Sequence, residues 1–179
     1  MILGRGSILV LVALVWSVAL QVSAAPQPAQ TRLEYSVKAN YLVRFAAFVE
    51  WPSRAFATRQ SPVVICVVGR DPFGNALDRA ARAQTAYGRS LVVRRPDTAD
   101  SVAGCHILYV GRGGGDLVPD SPRPVLLVTD SGVSAERGMI HFVIDDERVR
   151  FHIDLQAASR SGLSISSRLL NLALSVRGG

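Results

Sequence analysis

The side chains of this sequence that could do chemistry are few. They are two cysteines, Cys66 and Cys105, and three histidines, His106, His141 and His152. Cys66 lies inside one apolar run and Cys105 opens another, so if the two runs are neighbouring strands their sulfurs come within bridging range. Two cysteines in an exported protein most often pair, and closing a loop of ~40 residues contributes on the order of 4 kcal/mol in the loop-entropy model. The alternative is two free thiols buried in a core. His141 and His152 fall opposite each other in the hairpin described below, yet zinc takes three or four ligands, and neither Asp145 nor Asp154 stands at a ligand spacing. The pair reads as solvent-facing strand residues. His106 is no more specific.

The remaining motifs each lack a defining part. GRGGGD (111–116) has no Lys-Ser/Thr ending of a phosphate loop and reads as a flexible loop after a strand, while GRDPFG lacks the dinucleotide fingerprint. There is no G-x-S-x-G elbow and no H-E-x-x-H, and cysteines held in a bridge are not nucleophiles. No catalytic constellation emerges, and no cofactor or metal is implied. What stands out instead is an apolar, aromatic corner at Phe48, Val49, Trp51 and Pro52, which either closes the core or anchors a protein partner.

The chain that positions these residues is 179 long, with 49% apolar and 19% charged residues. That is the make-up of one folded domain and excludes a disordered tail. Residues 1–24 read as a secretory signal: Arg5, the apolar run Ile8 to Leu20, and Val22-Ser23-Ala24 before a cleavage site after Ala24. The run is too short to cross ~30 Å of hydrocarbon as a helix. Residues 25–30 form a Pro, Gln and Ala-rich stub without structure, and 31–179 form a single domain free of stable membrane insertion. Nineteen arginines and one lysine give a net charge of +6, which becomes +5 when Arg5 is removed with the signal. The arginines are scattered rather than gathered in a stripe, which argues against nucleic acid and for solubility or attraction to an acidic protein surface.

Within the domain, Thr31 and Glu34 have capping-box spacing, Glu34 and Lys38 form an i,i+4 pair, and Val37, Tyr41, Phe45 and Phe48 make an apolar stripe. This predicts a helix of about five turns ended by Pro52. PVVICVVG then reads as a buried strand, with Asp71 as N-cap and Pro72 as first residue of the next helix. LVVRR (91–95), CHILYVG (105–111) and PVLLVTD (124–130) repeat the strand signal. GMIHFVIDDERVRFHIDLQ alternates in period two around DDER, which predicts an antiparallel hairpin with Asp145 opposite Arg148 and one buried face. Ile165, Leu169, Leu172 and Val176, followed by Gly178, predict a closing amphipathic helix. The fold class is α/β: a mixed, partly parallel sheet flanked by helices, with a C-terminal antiparallel hairpin and a closing helix.

The segments VKANYLVRFAAFVEWP, VICVVG, YGRSLVV, CHILYV, LLVTDSG, GMIHFVIDDERVRFHIDLQAA and GLSISSRLLNLA resemble, in order and spacing, the YfiR-like family of periplasmic regulators. The resemblance covers nearly the whole mature chain. It implies a non-catalytic, exported repressor that binds the periplasmic domain of a membrane-bound diguanylate cyclase, keeping cyclic di-GMP and biofilm formation low. It also implies a homodimer and sensitivity to redox state. Cys66 and Cys105 match the family's main cysteine pair by position, whereas the second, C-terminal pair of some members has no counterpart, because the hairpin holds no cysteine. Phe48, Trp51 and Pro52 in the first-helix corner, with Arg168 and Leu169 in the C-terminal helix, are the expected interface. A periplasmic small-ligand receptor or transport accessory is the competing reading, since an α/β sheet can hold a ligand at the carboxyl ends of its strands.

Overall fold

The computed structural model describes residues 27–119, 123–133 and 138–178; the expected signal segment lies outside them. In chain order the elements are α1 (Gln27–Phe45), β1 (Val49–Glu50), β2 (Val63–Val68), α2 (Asn75–Arg82), β3 (Thr85–Ala86), β4 (Arg89–Arg94) and β5 (Ile107–Val110). They continue as β6 (Leu126–Asp130), β7 (Ile140–Asp145), β8 (Arg148–Asp154), α3 (Leu155–Arg160), β9 (Ser164–Ile165), α4 (Ser167–Leu170) and β10 (Ser175–Arg177). The main sheet has the order β10-β8-β7-β6-β5-β2-β4-β3, and β1 pairs separately with β9. β4, β2, β5, β6 and β7 run parallel, β8 returns antiparallel to β7, and β10 lies parallel to β8. The chain is α/β with a mixed sheet, as its repeated short apolar runs require.

One face of the sheet carries the larger core. Ile65, Ile107, Tyr109, Val128, Phe142 and Phe151 meet Leu42, Phe45 and Leu77 from the helices there. The other face carries a smaller core of Cys66, Val68, Val102, Cys105, Leu108 and Val110. The β7–β8 hairpin has the register that its alternation predicts, with Asp145 opposite Arg148 and Phe142 opposite Phe151. Asp146 and Glu147 at its tip have φ of 46° and 59°, the left-handed values that a two-residue hairpin loop needs.

Several boundaries differ from the sequence pattern. α1 begins at Gln27, inside the stub expected to be unstructured, so Thr31 lies in the helix rather than capping it. It also ends at Phe45, well before Pro52, because Val49 and Glu50 leave it to pair with Ile165 and Ser164. Its inward face is Lys38, Ala39, Leu42, Val43 and Phe45, while Val37 is exposed; the expected stripe is rotated by about one residue. Asp71 does not cap α2. Its carboxylate accepts the Phe73 N–H at 2.7 Å, a local turn that drives Phe73 into the core against Tyr109, and the helix starts only after Gly74.

The closing helix is a single turn, α4, capped by the Ser166 hydroxyl. Beyond it the chain extends, Leu174 N–H donates to Phe151 O at 2.8 Å, and β10 satisfies the outer edge of β8. An unpaired strand edge is a strong competitor for any segment that could also form a helix. Leu172 and Val176 are consequently exposed instead of facing the core.

Candidate docking site

The cysteines are joined. Cys66 in β2 and Cys105, just before β5, are bridged with their Cα atoms 5.8 Å apart, and no free cysteine remains among the described residues. The parallel β2–β5 register places Cys66 beside Leu108, and the bridge is buried in the smaller core.

His106, next to Cys105, is held from every side. Val64 N–H donates to its Nδ1 at 3.1 Å, so Nε2 carries the proton and donates to Ala55 O at 3.1 Å. The ring is buried, and desolvation holds its pKa below the ordinary imidazole value. Phe56 stacks on it with centroids 4.4 Å apart, and the Arg89 guanidinium lies 3.9 Å from the Phe56 centroid. Both plates stack too closely to share one face of Phe56, so His106, Phe56 and Arg89 form a three-layer stack. Trp51 adds an edge-on contact with the His106 ring, and its indole N–H donates to His106 O at 3.2 Å.

Trp51, Phe56 and Arg89, though not the buried His106 beneath them, line an open groove of about 790 Å3 together with Glu50, Arg59 and Tyr87. Burial, and then the nearby Glu50 carboxylate, raise the Tyr87 phenol above its usual pKa. The expected first-helix corner is therefore at the surface beside a groove: Phe48, Trp51 and Pro52 are half-buried, with Phe48 and Trp51 resting on the main core. The C-terminal segment reaches the same corner, because Ser166 N–H donates to Phe48 O at 2.9 Å and β9 pairs with β1. Arg168 is exposed there. Leu169 corrects the expectation: it is 2% exposed, an inward core residue with no surface to offer. Phe56, Tyr87 and Arg89 escape the sequence pattern because they lie outside any periodic run; the Tyr-Gly pair between two short strands is the one local turn signal for them.

At the other candidate sites the crevice of the sheet is filled by the protein itself, and the histidine pair borders only a small pocket of about 110 Å3. Strand order reverses between β2 and β5, where an α/β sheet would hold a ligand at its carboxyl ends. Here the two loops pack backbone against backbone: Gly111 N–H donates to Val68 O at 2.8 Å and Arg70 N–H to Arg112 O at 2.9 Å. A Cβ on Gly111 would lie 2.2 Å from Arg70 O, and one on Gly69 would lie 2.6 Å from Gly114 N. Gly111 and Gly114 of GRGGGD thus serve close packing against the β2 loop, which the reading of the segment as a flexible loop does not foresee. His141 and His152 are cross-strand partners as expected, but His141 is buried, not solvent-facing. Its Nδ1 is 2.8 Å from Thr129 Oγ1, and His152 Nδ1 is 2.6 Å from Ser175 Oγ. Among the described residues no group of three His, Cys, Asp or Glu side chains could hold a metal.

Among the described residues no helix is long and apolar enough to cross a membrane. No curated protein matches the chain. A family model described as YfiR/HmsC-like matches residues 35–174, from the middle of α1 to the residue before β10. Since that span holds both cores, the bridged cysteines and the groove, the chain belongs to the YfiR/HmsC-like family.

Proposed function

We propose that this protein is an exported, non-catalytic regulator that docks on the periplasmic domain of a membrane-bound diguanylate cyclase and represses it. Lower cyclic di-GMP and less biofilm follow. The observation that carries this reading is family membership over residues 35–174. The aromatic corner supports it: the strand between Phe48 and Trp51 pairs with β9, and Phe48 O accepts from the α4 cap residue Ser166, beside a groove lined by Trp51, Phe56 and Tyr87. Rigid aromatic anchors beside exposed arginines such as Arg168 are the usual make-up of a protein-binding surface. Repression then requires that the regulator bind the inactive arrangement of the cyclase more tightly than the active one. We also propose that it works as a homodimer in the periplasm.

The small-ligand reading loses its natural site, because the crevice at the carboxyl ends of β2 and β5 is occupied by the protein's own loops. Affinity purification of the tagged protein from detergent-solubilised membranes tests the proposal. Retention of a diguanylate cyclase supports it, with cyclic di-GMP expected to rise when the regulator's gene is deleted. Recovery of no membrane protein, with unchanged cyclic di-GMP on deletion, overturns it.

A further inference from the structure

The wall of the groove beside Trp51 contains a backbone outlier. Tyr87 and Gly88 link β3 to β4 with φ of 52° and 73°, the two-residue loop whose first position ordinarily takes Asn, Asp or Gly. A bulky residue seldom adopts that conformation. Nor does core packing hold it there, since Tyr87 is 59% exposed. An exposed aromatic ring kept on a strained tip points to work done outside the fold.

The rest of the groove says what that work involves. Trp51 presents a further ring and Phe56, covered on both faces by His106 and Arg89, its edge, and the lining charges are Arg59 and Arg89 against Glu50 alone. Arg89 is already fixed in place. Its Nη1 donates to Ser61 O at 2.6 Å and to Thr58 O at 3.1 Å, while the guanidinium sits over the Phe56 ring. A cation held this way meets a carboxylate without the entropy cost of ordering a free side chain. The groove is an open trough rather than an enclosed cavity, which suits a length of chain better than a small molecule buried on most of its surface.

We propose that this groove holds an acidic segment of a protein partner that carries an aromatic side chain. The ring lodges among Trp51, Phe56 and Tyr87, and the flanking carboxylates meet Arg59 and Arg89. This rests on the docking reading above and adds the chemistry of the partner's contacting segment.

Panning a phage-displayed random peptide library on the purified exported protein tests it, followed by fluorescence anisotropy of the most enriched peptide. Enriched sequences are expected to combine Asp or Glu with Phe, Tyr or Trp. Tyr87→Asn suits the turn better than tyrosine and so keeps the fold, yet it is expected to weaken the peptide about tenfold. Arg59→Glu on the open rim is expected to weaken it similarly, with the difference shrinking at high salt. Enrichment without acidic bias, or full affinity in Tyr87→Asn, overturns the proposal. If a diguanylate cyclase co-purifies equally with both variants, the groove assignment fails and the repressor reading stands. If acidic aromatic peptides bind and lose affinity in the variants while no cyclase co-purifies, the groove assignment stands and the repressor reading fails.

Discussion

Lys38, the single lysine of the chain, places its Nζ 2.6 Å from Oδ2 of Asp130, and both side chains are only 1% exposed. The ammonium also contacts the Glu34 carboxylate and sits 4.8 Å from the centre of the Tyr35 ring. Asp130 accepts the Tyr109 O–H at 3.2 Å and the Gly132 N–H at 2.9 Å. This cluster ties α1 to the carboxyl end of β6. Taking Lys38 away leaves the buried Asp130 carboxylate without a counter-ion, and taking Asp130 away leaves the buried ammonium with only the part-exposed Glu34; such losses cost about 3–5 kcal/mol. Lys38→Met and Asp130→Leu are each expected to lower the urea-unfolding free energy by that order. The double variant is expected to recover part of the loss, since no uncompensated charge remains between the pair. Single variants within about 1 kcal/mol of the parent would show that the cluster does not hold the helix.

The bridge between Cys66 and Cys105 spans a sequence separation of 39. Constraining that length of unfolded chain is worth on the order of 4 kcal/mol. Thermal unfolding with and without reductant, or of a Cys66→Ala/Cys105→Ala variant, is expected to show a fall in Tm of roughly 8–16 °C, at about 2–4 °C per kcal/mol for a domain of this size. Equal Tm values under both conditions would mean that the fold does not depend on the bridge.

What the sequence made legible was whatever a local period decides. The hairpin register followed from alternation, because a one-residue slip would carry Phe142 and Phe151 to the opposite face. Lys38 was legible only as half of a surface pair with Glu34, since its buried partner, Asp130, stands far away in the chain. The closing segment fits a helix by spacing, but the open edge of β8 took Ser175–Arg177 as a strand, a tertiary preference that overrides a local one. In the candidate site, Trp51 was readable as an aromatic beside a proline. Tyr87 and Arg89 were not, because what joins them to Trp51 is the folding of β4 beside β2.

At the crossing of the two loops, Gly111→Ala would force a Cβ to within 2.2 Å of Arg70 O and 3.0 Å of Val68 O. Both obstacles are backbone, so no side-chain rotation relieves the clash. The cost is expected to be about 3 kcal/mol or more, at the upper end of overpacking effects. Gly115→Ala in the same loop is a matched control, because nothing lies within 4 Å of the added Cβ. Chemical denaturation of both variants checks the contrast, and similar midpoints would refute the close-packed description of the loop crossing.

His106 gives the fold a pH dependence with a definite sign. Its burial lowers the folded-state pKa, whereas the unfolded chain protonates it near the ordinary value of about 6.5. Between the folded value and about 6.5 the unfolded state binds the extra proton, so stability rises with pH in that window. The contribution is thus fully present above about pH 6.5 and is lost as pH falls towards the lowered value. Protonation would put a hydrogen on Nδ1, the atom that now accepts Val64 N–H, and so loosen the ring on which Phe56 and Trp51 rest. Asp78 and Asp154 have carboxyl groups held below their ordinary range. Their contributions disappear only near pH 4 and lower, which keeps the two windows apart. Urea midpoints between pH 7 and 5 are therefore expected to fall in the parent protein and to fall less in His106→Gln, which cannot titrate. Parallel curves for the two proteins would remove His106 as the source of the pH dependence.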